Sequence, residues 1–235
     1  MPKKENVRQM FDDIAADYDA LNHIMSLDID RIWRKRALKL VISPDECQNI
    51  LDLACGTGDF SIAIAHRMAR DSRVTGVDLS EGMLAKMREK VESSGLQDRI
   101  DIRMGEGERL DFADNTFDVV TIAFGIRNFE NREKGLEEML RVLKPGGKIV
   151  ILELSEPENP VVRLLYNIYF TKLMPMIGGL VSGNRKAYRY LPASVIKFPH
   201  KDEWMDTMRK TGFSNVRHKA FSLGICRMYS AEKRQ

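Results

Sequence analysis

One short run, Leu51-Asp52-Leu53-Ala54-Cys55-Gly56-Thr57-Gly58-Asp59, holds the residue types and spacing best suited to chemistry. It lies between an apolar run that reads as a strand and a segment with helical spacing. Gly56 and Gly58 permit a tight turn and let a ligand approach the backbone. Asp78 follows Gly58 by 20 residues, at the end of the next strand. A carboxylate there accepts hydrogen bonds from both ribose hydroxyls of a nucleoside. Asp52 stands inside an otherwise apolar strand, where burial is costly unless loop amides or a cationic ligand group bond to it. The loop after the third strand, Gly105-Glu106-Gly107-Glu108, offers side chains and amides to an adenine edge.

The loop chooses among cofactors. A dinucleotide fingerprint needs glycine at position 61, and the residue is Ser61. Asp52 and Asp59 disfavour a pyrophosphate and suit a cationic cofactor without phosphate. S-adenosylmethionine, an adenosine with an amino-acid tail and a sulfonium, fits better than NAD. The bland alternative is a glycine turn with no ligand. The P-loop pattern is absent, and His23, His66, His200 and His218 show no metal-ligand spacing. No metal is expected.

The elements that must position these residues follow from pattern. Residues 1–45 read as two or three helices. Strands are predicted at 49–54, 73–77, 100–104, 116–124 and 148–154, with helices at 59–70, 81–94 and 131–143 between them. Ser80 looks like the N-cap of the second of these helices, and Gly95 its stop. A helix at 201–211 and strands at 214–221 and 224–231 complete the chain. Strands alternating with helices indicate a mostly parallel sheet covered on both faces. One domain, 1–235, is expected: a helical cap (1–45), a cofactor-binding half (46–155), an acceptor-covering insertion (160–198), and a C-terminal helix and strands (201–235).

These residues carry a resemblance. The run 52–59 with Asp78, Asn115–Val119 and Arg141–Gly147 is similar to class I S-adenosylmethionine-dependent methyltransferases. More specific segments are Phe11–Ala15 through Tyr18-Asp19, Asn22, Ser26 and Trp33-Arg34; then Phe124–Asn128, Leu152–Pro157, Tyr188–Ser194 and Phe198-Pro199. Together they resemble the ubiquinone/menaquinone biosynthesis C-methyltransferases over nearly the whole chain. The resemblance implies a Rossmann-like α/β fold with a seven-stranded, mostly parallel sheet. It implies methyl transfer from S-adenosylmethionine to a ring carbon of a prenylated quinol, demethylmenaquinol first, with the methoxy-benzoquinol of the ubiquinone pathway as the other acceptor. By position, Thr57, Asp78, Glu106, Gly107 and Ala123 match cofactor-binding residues of the family. Many relatives have Ser at 123, Asn or Asp at 106, Gly at 55 and Gly at 28.

Arg127 and Asn128 fall just beyond the fourth strand, where the acceptor should lie. Arg127 is expected to stabilise a quinolate oxygen, and Asn128 to orient the hydroxyl or a relaying water. Tyr18, Tyr188 and Tyr190 are candidates for covering the acceptor. Each has an ordinary packing role as its alternative.

Composition sets the outer bounds. Lys plus Arg number 37 against 34 Asp plus Glu, a net +3. That disfavours nucleic-acid binding through bulk charge. Three cysteines suit a reduced compartment, and the start of the chain does not resemble a signal peptide. Residues 164–183 are nearly all apolar but broken by Pro175 and Gly178-Gly179. They fall short of a membrane span. They read as a helix buried on the sheet, a homodimer interface, or an apolar lid that takes a prenyl tail and touches a membrane, with Arg185, Lys186, Arg189 and Lys197 toward anionic headgroups. The expected protein is cytoplasmic and peripheral at the inner membrane face. Two other functions compete: methylation of another lipid or phenolic acceptor, and a non-catalytic scaffold that binds S-adenosylmethionine.

Overall fold

The structure is a computed structural model that describes residues 3–26, 28–170 and 185–235, with the side chains at 21, 23–25 and 185–189 outside the description. Most of the apolar stretch 164–183, and the side chains of Tyr188, Arg185, Lys186 and Arg189, therefore lie outside the described residues.

Three helices open the chain: α1 (Lys4–Ile14), α2 (Tyr18–Ser26) and α3 (Ile29–Val41). Strands and helices then alternate: β1 (Asn49–Leu53), α4 (Asp59–Ala65), β2 (Arg73–Asp78), α5 (Glu81–Ser93), β3 (Ile100–Met104), β4 (Phe117–Ala123), α6 (Arg132–Val142) and β5 (Leu143–Leu154). After them come α7 (Pro160–Ile168), α8 (Arg185–Ile196), α9 (Lys201–Thr211), β6 (Ser214–Phe221) and β7 (Cys226–Glu232). The seven strands make one sheet in the order β3-β2-β1-β4-β5-β7-β6. The first five run parallel, and β7 pairs antiparallel with both β5 and β6. This is the Rossmann-like class I methyltransferase fold.

Local chemistry sets the boundaries. Ser80 caps α5 by accepting a hydrogen bond from the Met83 amide at 3.1 Å, and Gly95 stops it with φ +64°. Asn131 caps α6 in the same way through Lys134. The helix predicted at 59–70 ends earlier, at Ala65. The Lys144-Pro145-Gly146-Gly147 turn is absorbed into β5. Phe117 pairs with Leu143, and the register then jumps to Val119 with Lys148.

Both faces of the sheet are buried. On one, Trp33, Ile64 and Met87 from α3, α4 and α5 pack over Ile50 and Val119; on the other, Met139 and Trp204 from α6 and α9 pack over Leu51 and Val120. Each large side chain so buried contributes ~1.5–3 kcal/mol.

The strand order reverses between β1 and β4. Ligands bind at such a switch point, beyond the carboxyl ends of the strands. Here both strands end on a non-glycine residue in the left-handed region: Ala54 at φ +51° and Phe124 at φ +62°. Strain of this kind costs ~1–3 kcal/mol per residue and gathers at functional sites.

Candidate functional site

The crevice opens at that switch point. Its floor is Leu53, Ala54 and Gly56 beyond β1, its walls are Asp78 to Ser80 beyond β2 and Gly105 to Glu108 beyond β3, and Ala123 to Gly125 and Asn128 close the β4 side. Of the residues the sequence pointed to, Tyr18, Gly56, Asp78, Glu106, Gly107, Ala123 and Asn128 line one pocket. Asp52, Thr57, Gly58, Arg127 and Tyr190 stand behind it.

Asp78 organises the β2 side of the crevice. Its carboxylate accepts from the Gly56 amide at 2.8 Å and from the Ser80 amide at 2.9 Å. Burial pushes its pKa up, and those amides pull it back. The side chain both fixes the glycine loop and borders the pocket. Gly107 is required by packing: a Cβ there would fall 2.3 Å from Cζ of Phe129, which also lines the pocket. Gly58 holds φ +84° with Met87 at its back.

Asp52 is 1% exposed. Its partners are two hydroxyls: Ser61 donates at 2.5 Å and Thr121 at 2.9 Å. Burial lifts it from 3.8 to about 6. It therefore supports the loop from below, through hydroxyls rather than amides or ligand. Cys55 packs its sulfur 3.4 Å from that of Met87, and burial drives its thiol far up, so it is not a nucleophile at neutral pH.

Helices α1 and α2 close the pocket from above, and sequence reasoning missed most of how. Lys4, Val7, Arg8 and Phe11 line it. Their near-helical spacing was the available signal. Three polar ties hold this cap to the loops that follow β1, β2 and β3. Lys4 Nζ pairs with Glu106 at 2.9 Å. Asp12 accepts from Ser80 Oγ at 2.5 Å and from the Gly82 amide at 3.0 Å. Asp19 accepts from Thr57 Oγ1 and pairs with Lys90 at 2.8 Å.

The β4 side is built differently. Arg127 is 6% exposed, and its guanidinium meets Glu153 of β5 at 2.7 Å, the Phe124 carbonyl, and Ser194 Oγ of α8 at 3.3 Å. Glu153 is fully buried and also accepts from the Arg127 amide at 3.1 Å. No sequence signal marked Glu153 as this partner. Tyr190 of α8 donates to Asn128 Oδ1 at 3.0 Å. Arg127 lies within electrostatic reach of both Tyr18 and Tyr190. Burial pushes both phenols up, so both are neutral donors at neutral pH. Among the described residues, no group of three or more His, Cys, Asp or Glu is placed to hold a metal ion, and no helix is long and apolar enough to cross a membrane.

A carboxylate on the second strand, a glycine loop without a phosphate cradle and a crevice at the β1/β4 reversal define a class I methyltransferase. Solved structures share the fold. The cyclase SpnF matches with a TM-score of 0.73 at 17% identity, covering 99% of this chain and 97% of its own. An S-adenosylmethionine-dependent methyltransferase from Aquifex aeolicus matches with 0.60 at 20% identity, over 85% of this chain and 88% of its own. One is a cyclase and one a methyltransferase, so this likeness carries the fold and leaves the reaction open. Sequence goes further: the chain belongs to the ubiE/COQ5 methyltransferase family, which it matches over residues 1–233. A demethylmenaquinone methyltransferase of Bacteroides fragilis is 45% identical over 98% of this chain and 94% of its own length. A ubiquinone/menaquinone biosynthesis C-methyltransferase of Geotalea daltonii is 46% identical over 98% and 97%.

Proposed function

We propose that this methyltransferase carries a methyl group from S-adenosylmethionine to a ring carbon of a prenylated quinol, with demethylmenaquinol as acceptor and menaquinol as product. The observation that carries this reading is family membership over 1–233, with relatives of that name aligned end to end. The methoxy-benzoquinol is the other acceptor to test, since the Geotalea relative bears both pathway names.

The residues present fit the cofactor. Asp78 presents a carboxylate for the ribose hydroxyls, and Glu106-Gly107 and Ala123 border the adenosine space. Thr57 and Gly58 shape the loop, and Asp52 and Asp59 leave no place for phosphate. The cofactor supplies an electrophilic methyl on a cationic sulfur.

The chain's task is to make the acceptor carbon nucleophilic and hold it in line. A quinol oxygen that loses its proton pushes electron density into the ring. The ring carbon then gains the methyl and gives up its own proton to restore aromaticity. Arg127 acts on the developing oxyanion. Because Glu153 already balances its charge, it does so as a fixed donor more than as a free cation. Asn128, held by Tyr190, orients the hydroxyl. Tyr18 covers the ring and excludes water. Tyr188 belongs to the same acceptor-covering helix.

The acceptor's tail calls for an apolar surface. On α7, Val161, Leu164, Leu165 and Ile168 are 65%, 60%, 63% and 41% exposed, at the spacing of one helical face. We assign this stripe to transient contact with the membrane that holds the quinol, at its inner face.

The test is methyl transfer from labelled S-adenosylmethionine to each chemically reduced quinol, offered in anionic vesicles and in detergent. Demethylmenaquinol should gain the label. Transfer to neither ring would sink the assignment. Transfer only to a different phenolic lipid would replace it. Leu164→Asp with Leu165→Asp should lose turnover in vesicles and keep it in detergent. Equal losses in both would remove the membrane role.

A further inference from the structure

Native structures leave few buried polar atoms without a partner, and each one asks for an explanation. Tyr166 of α7 is 5% exposed, and its hydroxyl has no hydrogen-bond partner among the described residues. Five other buried atoms share that condition: the Nε atoms of Arg34, Arg99 and Arg132, and the ring groups of Trp204 and Tyr229. The three guanidiniums are bonded through their other nitrogens. Trp204 and Tyr229 belong to one apolar core cluster. Tyr166 is buried yet belongs to neither core cluster.

Its position is informative. Helix α7 follows the carboxyl end of β5, on the crevice side of the sheet. The Tyr166 phenol lies within electrostatic reach of Arg127, Glu153 and Glu156. Tyr18 and Tyr190 reach the same guanidinium. All three phenols thus lie within electrostatic reach of Arg127. Tyr18 is bonded to Asn22 and Tyr190 to Asn128; the third has no partner. The Tyr166 ring stacks on Phe170 with centroids 4.2 Å apart, and Tyr169 meets Phe170 edge-on at 5.4 Å. A flat aromatic wall therefore stands beside the unpartnered donor. The opposite face of the same helix carries the exposed apolar stripe.

We propose that Tyr166 binds the acceptor, its hydroxyl donating a hydrogen bond to a ring oxygen while its ring and Phe170 bound the aromatic plane. This rests on the quinol reading of the site. A quinol has two ring oxygens. The one that activates the methylated carbon must lose its proton, whereas the other needs only to be held. Burial pushes the Tyr166 phenol well above neutrality, so it stays a donor and does not serve as a base. It is thus suited to the oxygen that is held, and its role is specificity for a dihydroxy ring.

The test compares wild type with Tyr166→Phe. The acceptors are the quinol and an analogue that keeps the activating hydroxyl and has the other ring oxygen replaced by hydrogen. Expected with the quinol is a KM raised about tenfold, with kcat within about twofold, as for one lost neutral hydrogen bond. The KM for S-adenosylmethionine and the thermal midpoint should not move. The penalty should vanish for the analogue, which lacks the oxygen that Tyr166 holds. An unchanged quinol KM overturns the proposal. So does an equal penalty with both acceptors, and so does a lower thermal midpoint with unchanged KM, which would mark an internal partner. If wild type itself methylates no quinol, the acceptor reading falls and takes this role with it. That outcome is told apart by the silence of the wild type.

Discussion

Two buried carboxylates summarise two halves of the crevice. Asp52, on β1 beneath the cofactor loop, is hydrogen-bonded by two hydroxyls and titrates near 6. Glu153, on β5 beside the acceptor region, is bonded by a guanidinium and two backbone amides. The cofactor half is made of turns close in sequence to the strand ends they extend. The helical cap then ties those turns down over long range, through Lys4–Glu106, Ser80–Asp12 and Lys90–Asp19. The half we assign to the acceptor is made of Arg127, Glu153, Tyr166, Tyr190 and Ser194, drawn from a loop, a strand and two helices. A cofactor site can be carried by a motif, whereas an acceptor site has to be assembled by the tertiary fold.

The largest effect should break the second half. Arg127→Ala or Glu153→Ala leaves a buried charge without its partner, which costs ~3–5 kcal/mol. Replacing both, Arg127→Met with Glu153→Leu, should recover part of that loss, because packed apolar side chains can stand in for a buried pair while the Arg127 and Leu154 amides lose their acceptor. Urea unfolding reads the stability. The double variant should still bind S-adenosylmethionine and show no turnover. Full turnover in it would remove Arg127 from the mechanism.

The next effect should break the first half. Asp78→Ala removes the carboxylate we propose for the ribose hydroxyls, and charge-assisted hydrogen bonds of this kind contribute ~1.5–3 kcal/mol each. Cofactor affinity by calorimetry should fall about 100-fold. At saturating cofactor, the KM for the quinol should stay within about threefold. Unchanged affinity would reduce Asp78 to a staple for Gly56 and Ser80.

The same contrast explains what could be read from the chain. The glycine loop, Asp78 and the Ser80 cap depend on neighbours within a few residues or at a fixed strand–helix spacing, so pattern reveals them. Glu153 is the penultimate residue of the apolar run KIVILEL, and only the pairing of β4 with β5 brings it to Arg127. Ala54 and Phe124 are not glycines, so nothing announced their left-handed backbone. Asp28 was legible in part. The resemblance implies glycine at that position, and its φ of +58° shows why glycine suits it. The orphan hydroxyl of Tyr166 is invisible to pattern, since it is defined by what does not touch it. Asp52 was expected to matter as a buried carboxylate in the strand. Its partners, Ser61 one turn into α4 and Thr121 on the adjacent strand, needed the fold.

The smallest effect sharpens the difference between the two carboxylates. Burial raises Asp52 from 3.8 to about 6, so the folded protein holds a proton that the unfolded chain releases. Its contribution to stability is whole below 3.8 and is lost as pH climbs to about 6. Above that, the ionised carboxylate costs ~3 kcal/mol. Asp52→Asn keeps the shape and an acceptor oxygen and abolishes the titration. Its amide can donate to one of the two hydroxyls. Because the match is imperfect, the variant should recover ~1–2 kcal/mol of stability at pH 8 relative to wild type. The gain should disappear toward pH 4. Glu153→Gln should show no such gain, because it weakens the ion pair with Arg127. Unfolding free energies for both variants at pH 4, 6 and 8 decide the matter. If Asp52→Asn and wild type ran parallel across that range, the buried acid beneath the cofactor loop would be ionised throughout, and the two halves would differ in geometry but not in charge.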